Sequence, residues 1–331
     1  MKSLRTFTAF TLTLLCGAGI GILLQNYFKI TQRATSLLGR TGLSQYVSRP
    51  IPASQDQLAT SQAIPPQLQG RLKLYVLVGQ SNMVGAAEIP ADISVSANIF
   101  TFGNNYRWSP AVPPIDSEVD QVDLVSFDEA PGFGPALPFA QTLIEQNNNQ
   151  IIGLIPCAKN GASITDWAKN PSDQSLYGSC LKRIRAASPM GTVSGILFFQ
   201  GEADAIDPQQ FPALQPDAEA WAEKFATFAY NFRSDIGNPR LPLIYAQIGQ
   251  PEDLEGLPNW EAVQAQQESI QIPDAAMITT KDLPMDGIHF TAAGYRTIGQ
   301  RFAEALDRVG TSSGAATREL TNGESPPPDS D

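Results

Sequence analysis

The chain contains one histidine, His289, in 331 residues. That scarcity argues against a conventional zinc site, and no Cys/His cluster has metal-ligand spacing, so neither metal nor cofactor is expected. It also leaves one candidate general base for any serine hydrolysis, since imidazole has the ordinary pKa nearest neutrality. Cysteine is almost as rare. Of the three present, Cys16 lies in an apolar N-terminal stretch, leaving Cys157 and Cys180. The plainer reading is two unpaired buried thiols. A disulfide stays open if the domain lies outside the cytoplasm, because spacing alone does not decide pairing.

Acidic residues are missing from positions 1–50, which hold six of the 22 basic residues. The rest of the chain therefore carries 16 basic against 33 acidic residues, a net of −17. Such a body repels nucleic acid, and no basic stripe with interleaved aromatics offsets it. Within the basic head, residues 6–28 contain no charge at all. A bilayer core of about 30 Å needs about 20 apolar residues in a helix, so residues 1–28 read as an N-terminal membrane anchor. A cleaved signal peptide is the rival, with secretion as its consequence. With an anchor, the protein is a single-pass membrane protein whose catalytic domain is expected outside the cytoplasm. Basic residues on both flanks leave the orientation open.

Residues 29–69, rich in Ser, Gln, Pro and Ala, read as a flexible linker, and residues 311–331 as a disordered tail. Between them, a domain over 70–310 alternates two patterns. Apolar runs at 72–78, 151–155, 193–199, 241–246 and 275–280 read as buried strands. Helices are expected at 136–146, 175–187, 218–234, 259–270 and 292–309, the last capped by Thr291. This alternation predicts an α/β fold with a mostly parallel sheet, helices on both faces, and ligands at the carboxyl ends of the strands.

The chemically interesting residues fall at those ends. Ser81 follows Gly79-Gln80 after the first strand, where a glycine permits a tight turn into a helix. Ser81 could equally be an ordinary helix cap. His289 lies three residues after Asp286, a placement that lets a carboxylate orient an imidazole. A histidine beside a helix start is more often a surface residue, but this chain avoids histidine elsewhere. Asn160-Gly161 and Gln200-Gly201-Glu202 offer amides for an oxyanion, or are simply turns. Asp204 reads as a solvated loop acid.

Four segments occur in order: Gly79-Gln80-Ser81-Asn82-Met83, the run from Pro156 to Ile164, Gln200-Gly201-Glu202-Ala203-Asp204, and Asp286-Gly287-Ile288-His289. Together they resemble the sialate O-acetylesterase / acetylxylan esterase family (carbohydrate esterase family 6), a branch of the SGNH hydrolases, over about residues 72–306. The resemblance implies a flavodoxin-like α/β/α sandwich, the SGNH hydrolase fold, and a serine esterase removing small acyl groups from a carbohydrate. It implies Ser81 as nucleophile, His289 as base and Asp286 as its orienting partner. The oxyanion hole would combine Ser81, Gly161, Gln200 and Gly201, with Gln80, Asn82, Asn160 and Glu202 contacting substrate. Phe198-Phe199 departs from the family pattern and, with the membrane tether, favours a rival lipase-like or thioesterase reading. A second rival is a catalytically silent glycan-binding module using exposed Trp108, Trp167 or Trp260.

Overall fold

The central strand β1 (Leu72–Gly79) shows how this sequence builds its layers. Successive strand residues face opposite ways. Accordingly Leu72, Leu74, Val76 and Val78 enter one hydrophobic core, and Tyr75 and Leu77 enter the other. The strand is apolar on both faces because helices cover both. In this computed structural model the described residues are 64–322, apart from 129–130, 210 and 212–213, with only the backbone described for 311–322.

After β1 come the short helix α1 (Ser81–Val84), β2 (Ile99–Phe102), β3 (Trp108–Pro110) and α2 (Ala136–Gln146). Next are β4 (Ile152–Pro156), α3 (Leu176–Ala187), β5 (Gly191–Phe199) and α4 (Trp221–Ile236). The chain continues through β6 (Leu243–Ala246), α5 (Trp260–Glu268) and β7 (Ala275–Ile278). A hairpin of β8 (Met285–Asp286) and β9 (His289–Phe290) leads into α6 (Ala292–Asn322). The main sheet runs β3-β2-β4-β1-β5-β6-β7, parallel except for the β2–β3 pair. Its five strands β4-β1-β5-β6-β7 have the flavodoxin-like 2-1-3-4-5 order, and β2 and β3 extend the β4 edge.

All five expected strands and five expected helices are present. Ser175 caps α3 by accepting from Gly178 N–H at 2.9 Å, and Thr291 Oγ1 accepts from Gly294 N–H at 3.2 Å. Three expectations need correction. The domain begins before residue 70, because Ile64 is buried in the first core. The last helix does not stop at 309: its backbone is helical to Asn322. Ala315, Ala316, Arg318, Glu319 and Leu320 are good helix formers that extend an already nucleated helix cheaply. Finally, Cys157 and Cys180 are not separate thiols but a disulfide. The expected anchor (residues 1–28), most of the 29–69 linker, and residues 323–331 lie outside the described residues. Among those described, no helix is long and apolar enough to cross a membrane.

The disulfide joins the loop after β4 to α3 across 23 residues. Closing such a loop removes unfolded-state freedom, and losing a native disulfide costs about 2–5 kcal/mol. Replacing both cysteines with alanine is therefore expected to lower the thermal midpoint by several degrees. An unchanged midpoint in a calorimetric scan contradicts that reading.

Candidate active site

Strand order reverses at β1, whose neighbours β4 and β5 continue in opposite directions, and a crevice opens outside such a point. Gly79 closes β1 at φ +138°, and a Cβ there would stand 2.0 Å from the Phe199 carbonyl oxygen of β5. Only glycine lets the chain turn so close to its neighbour. The turn leads directly to Ser81, the first residue of α1.

The β8–β9 hairpin brings the base to this serine. Gly287, at φ +60°, and Ile288 form its two-residue turn, so Asp286 pairs with His289. His289 Nε2 lies 2.9 Å from Ser81 Oγ, across 208 positions of sequence. Burial lowers the imidazole pKa and the nearby Asp286 charge partly opposes that shift, so the ring is neutral at physiological pH. Asp286 is exposed, and among the described residues it makes no hydrogen bond to the ring. Its influence here is electrostatic.

The remaining sequence candidates separate by their hydrogen bonds. Gln200 is buried. Its Nε2 faces Gln80 Oε1 at 3.2 Å, Ala162 O at 3.1 Å and Asp204 Oδ2 at 2.5 Å, while its Oε1 accepts from Trp221 Nε1. Those partners occupy the amide, so Gln200 is not an oxyanion donor. Gly201 N–H is likewise directed at Gln80 Oε1.

Gln80, expected to contact substrate, is held at one end of its amide only. Its Oε1 accepts from Gln200 Nε2, from Gly201 N–H at 3.4 Å and from Ala203 N–H at 3.1 Å. Three donors fix the amide orientation, and among the described residues Nε2 has no partner. The Ser81 and Gly161 N–H groups and the Asn160 side chain also have none there. Gly161, at φ +72°, sits in open space, and Asn160 N–H is anchored to Asp128 Oδ1 at 3.0 Å. Free donors from the β1 and β4 loops thus belong to the edge that carries Ser81.

Asn82 and Glu202, expected to meet substrate, are instead buried and bonded to each other at 2.5 Å. Desolvation raises the Glu202 pKa to about 7. Asp204 is not a solvated acid either. It is buried, accepts from Ile164 N–H and Asp217 N–H at 2.8 Å each, and burial lifts its pKa to about 6. Phe198 and Phe199 are buried in opposite cores, so they line no acyl pocket. Trp108, Trp167 and Trp260 are buried as well, which removes them as sugar platforms. Among the described residues no cluster of His, Cys, Asp and Glu could hold a metal ion.

A family model described as carbohydrate esterase, sialic acid-specific acetylesterase, matches residues 71–308. An Arabidopsis thaliana protein named probable carbohydrate esterase is 24% identical over 275 residues, spanning 77% of this chain and 96% of that protein. The crystal structure of that plant protein superposes with a TM-score of 0.61 at 23% identity, covering 71% of this chain and 97% of its own. NanS gives 0.55 at 17% identity, covering 74% and 99%. A carbohydrate acetylesterase from Xanthomonas citri gives 0.54 at 20%, covering 72% of this chain and 57% of its own. These structures share the fold, and the family match carries the class of reaction. The chain belongs to the sialic acid-specific acetylesterase family of carbohydrate esterases, and is a carboxylic ester hydrolase.

Proposed function

We propose that this enzyme removes small acyl groups, O-acetyl in particular, from a carbohydrate through an acyl-enzyme formed on Ser81. The observation that carries the reading is the 2.9 Å approach of His289 Nε2 to Ser81 Oγ. Neutral His289 takes the serine proton as Oγ bonds to the acyl carbon. The oxyanion is held by Ser81 N–H, Gly161 N–H and Gln80 Nε2, the last aimed by its three donors. His289 then gives its proton to the departing sugar hydroxyl. Water, deprotonated by the same ring, cleaves the acyl-enzyme and restores Ser81. Asp286 stabilises the imidazolium through its charge.

The carbohydrate names of the relatives support a sugar as the alcohol half. The lipase-like rival loses one of the two features that favoured it, since Phe198 and Phe199 are buried, and keeps only the expected anchor. A silent module has no need of a paired serine and imidazole. The disulfide favours a domain outside the cytoplasm, where such bonds persist, tethered by residues 1–28 or released by their cleavage.

The deciding assay gives the full chain acetylated saccharides beside p-nitrophenyl esters of increasing chain length. Acetate release from the sugars, with activity falling beyond short acyl groups, is expected. Preference for long acyl esters overturns the proposal.

The pH dependence has a defined sign. His289 must be neutral to act, and burial lowers its pKa below the ordinary 6.5. Thus kcat/KM falls as pH drops through a midpoint below 6.5 and is level above it. Asp286→Asn removes the charge that holds the pKa up, so its acid midpoint moves lower still. A midpoint above 6.5, or an upward shift in the variant, contradicts this account.

A further inference from the structure

We propose that Asn82 is a positioning residue for the catalytic pair: its buried amide ties the strand carrying His289 to the helix carrying Ser81. The inference rests on the serine–histidine reading above. Chain position is the first observation, since Asn82 directly follows Ser81 and Ile288 directly precedes His289. Asn82 Nδ2 donates to the Ile288 carbonyl oxygen at 3.0 Å and to Glu202 Oε1 at 2.5 Å. Its Oδ1 accepts from the Tyr295 hydroxyl at 2.6 Å.

These contacts leave the amide one orientation. Rotating it by half a turn would place Oδ1 against the Glu202 carboxyl and the Ile288 carbonyl, acceptor facing acceptor. Asn82 and Tyr295 are fully buried and Glu202 is 1% exposed, so bulk water is kept from their mutual bonds, while the bond to the Ile288 carbonyl is part-buried. The three partners stand 120, 206 and 213 positions away. One side chain therefore joins α1, the loop after β5, the β8–β9 turn and α6.

The hairpin needs such a hold. Its strands are two residues each, and a lone hairpin is marginal in water. Asp286 and Gly287 face solvent, so the outer side supplies little packing. Glu202 carries a cost consistent with this role. Among the described residues its buried Oε2 has no hydrogen-bond partner, a penalty that an apolar residue would avoid.

A displacement of about 1 Å at a reacting group can cost about 10²-fold in rate. The single histidine makes the test direct, because histidine-labelled full-length protein gives one imidazole spin system by NMR. In Asn82→Ala, His289 is expected to lose part of its burial, so its pKa rises toward the ordinary value. In the same variant kcat falls about 10²-fold with KM unchanged, the signature of misplaced catalytic groups rather than lost binding. Tyr295→Phe, close to isosteric, is the second variant should Asn82→Ala fail to fold. It should shift the pKa the same way and lower kcat severalfold. A folded variant whose imidazole titrates as in wild type overturns the tether. The titration needs no substrate, so an inert wild-type protein would count against the esterase reading while the tether is still judged on His289.

Discussion

Replacing His289 with alanine lowers kcat for p-nitrophenyl acetate by roughly 10⁴- to 10⁶-fold, the range seen when triad members are removed. The large value follows from composition as well as geometry. No second histidine exists to substitute, and among the described residues Ser81 Oγ has no hydrogen-bond partner except this ring. The fold should hardly change. His289 is half-buried in a two-residue strand, and among the described residues its ring hydrogen-bonds only to Ser81. Ser81→Ala should lose as much, because nucleophile and base act as one unit and their losses do not add. Steady-state rates and thermal midpoints of both variants and the double variant check this. Activity within tenfold of wild type in either single variant would falsify the assignment.

Gln80→Glu should cost about 10²- to 10³-fold in kcat, the loss typical of one oxyanion donor. The substitution keeps the Oε1 acceptor for Gln200, Gly201 and Ala203 while replacing the unpartnered Nε2 with an oxygen. An ionised carboxylate there would also repel the developing charge. Gln80→Ala confounds this effect by stranding the Gly201 and Ala203 N–H donors, at about 1–3 kcal/mol each when unpaired, whereas Gln200 Nε2 keeps Ala162 O and Asp204 Oδ2. The paired comparison separates chemistry from support: Glu loses rate with little loss of stability, whereas Ala loses both. Near-wild-type kcat in Gln80→Glu would remove Gln80 from the oxyanion hole. By contrast, Gln200 has already committed its amide within the protein, so its replacement is expected to act through stability.

The alternation of apolar runs with helical segments was legible because it reflects burial on both faces of a parallel sheet. The short β2 and β3, and the two-residue strands flanking Gly287, carry too little periodicity to be read. The backbone of α6 passes residue 310 because helix propagation needs no apolar stripe, which was the only signal that marked its end. Ser81, His289 and Asp286 were legible as a spacing pattern beside strand ends.

The assignments within the motifs fared differently. Gln80 and Gln200 look alike in sequence, each an amide beside glycine at a strand end. Only the fold shows one with its Nε2 left unpartnered and the other with its amide spent. Asn82, Glu202 and Asp204 have the composition of a polar site, yet all three are buried as internal ties. Cys157 and Cys180 are 23 residues apart, and their pairing depended on α3 packing beside the loop after β4.

By itself, the sequence determined that His289 was the sole imidazole available, that the domain layered helices on both faces of a parallel sheet, and which strand ends held the candidate residues. These follow from composition and local periodicity. The tertiary structure decided the 2.9 Å meeting of Ser81 and His289, the disulfide, and which amides remain free to act. Those are set by contacts between segments apart in sequence, 23 positions for the disulfide and 208 for Ser81 and His289, where hydrogen-bond partners compete and burial decides which polar group is left over.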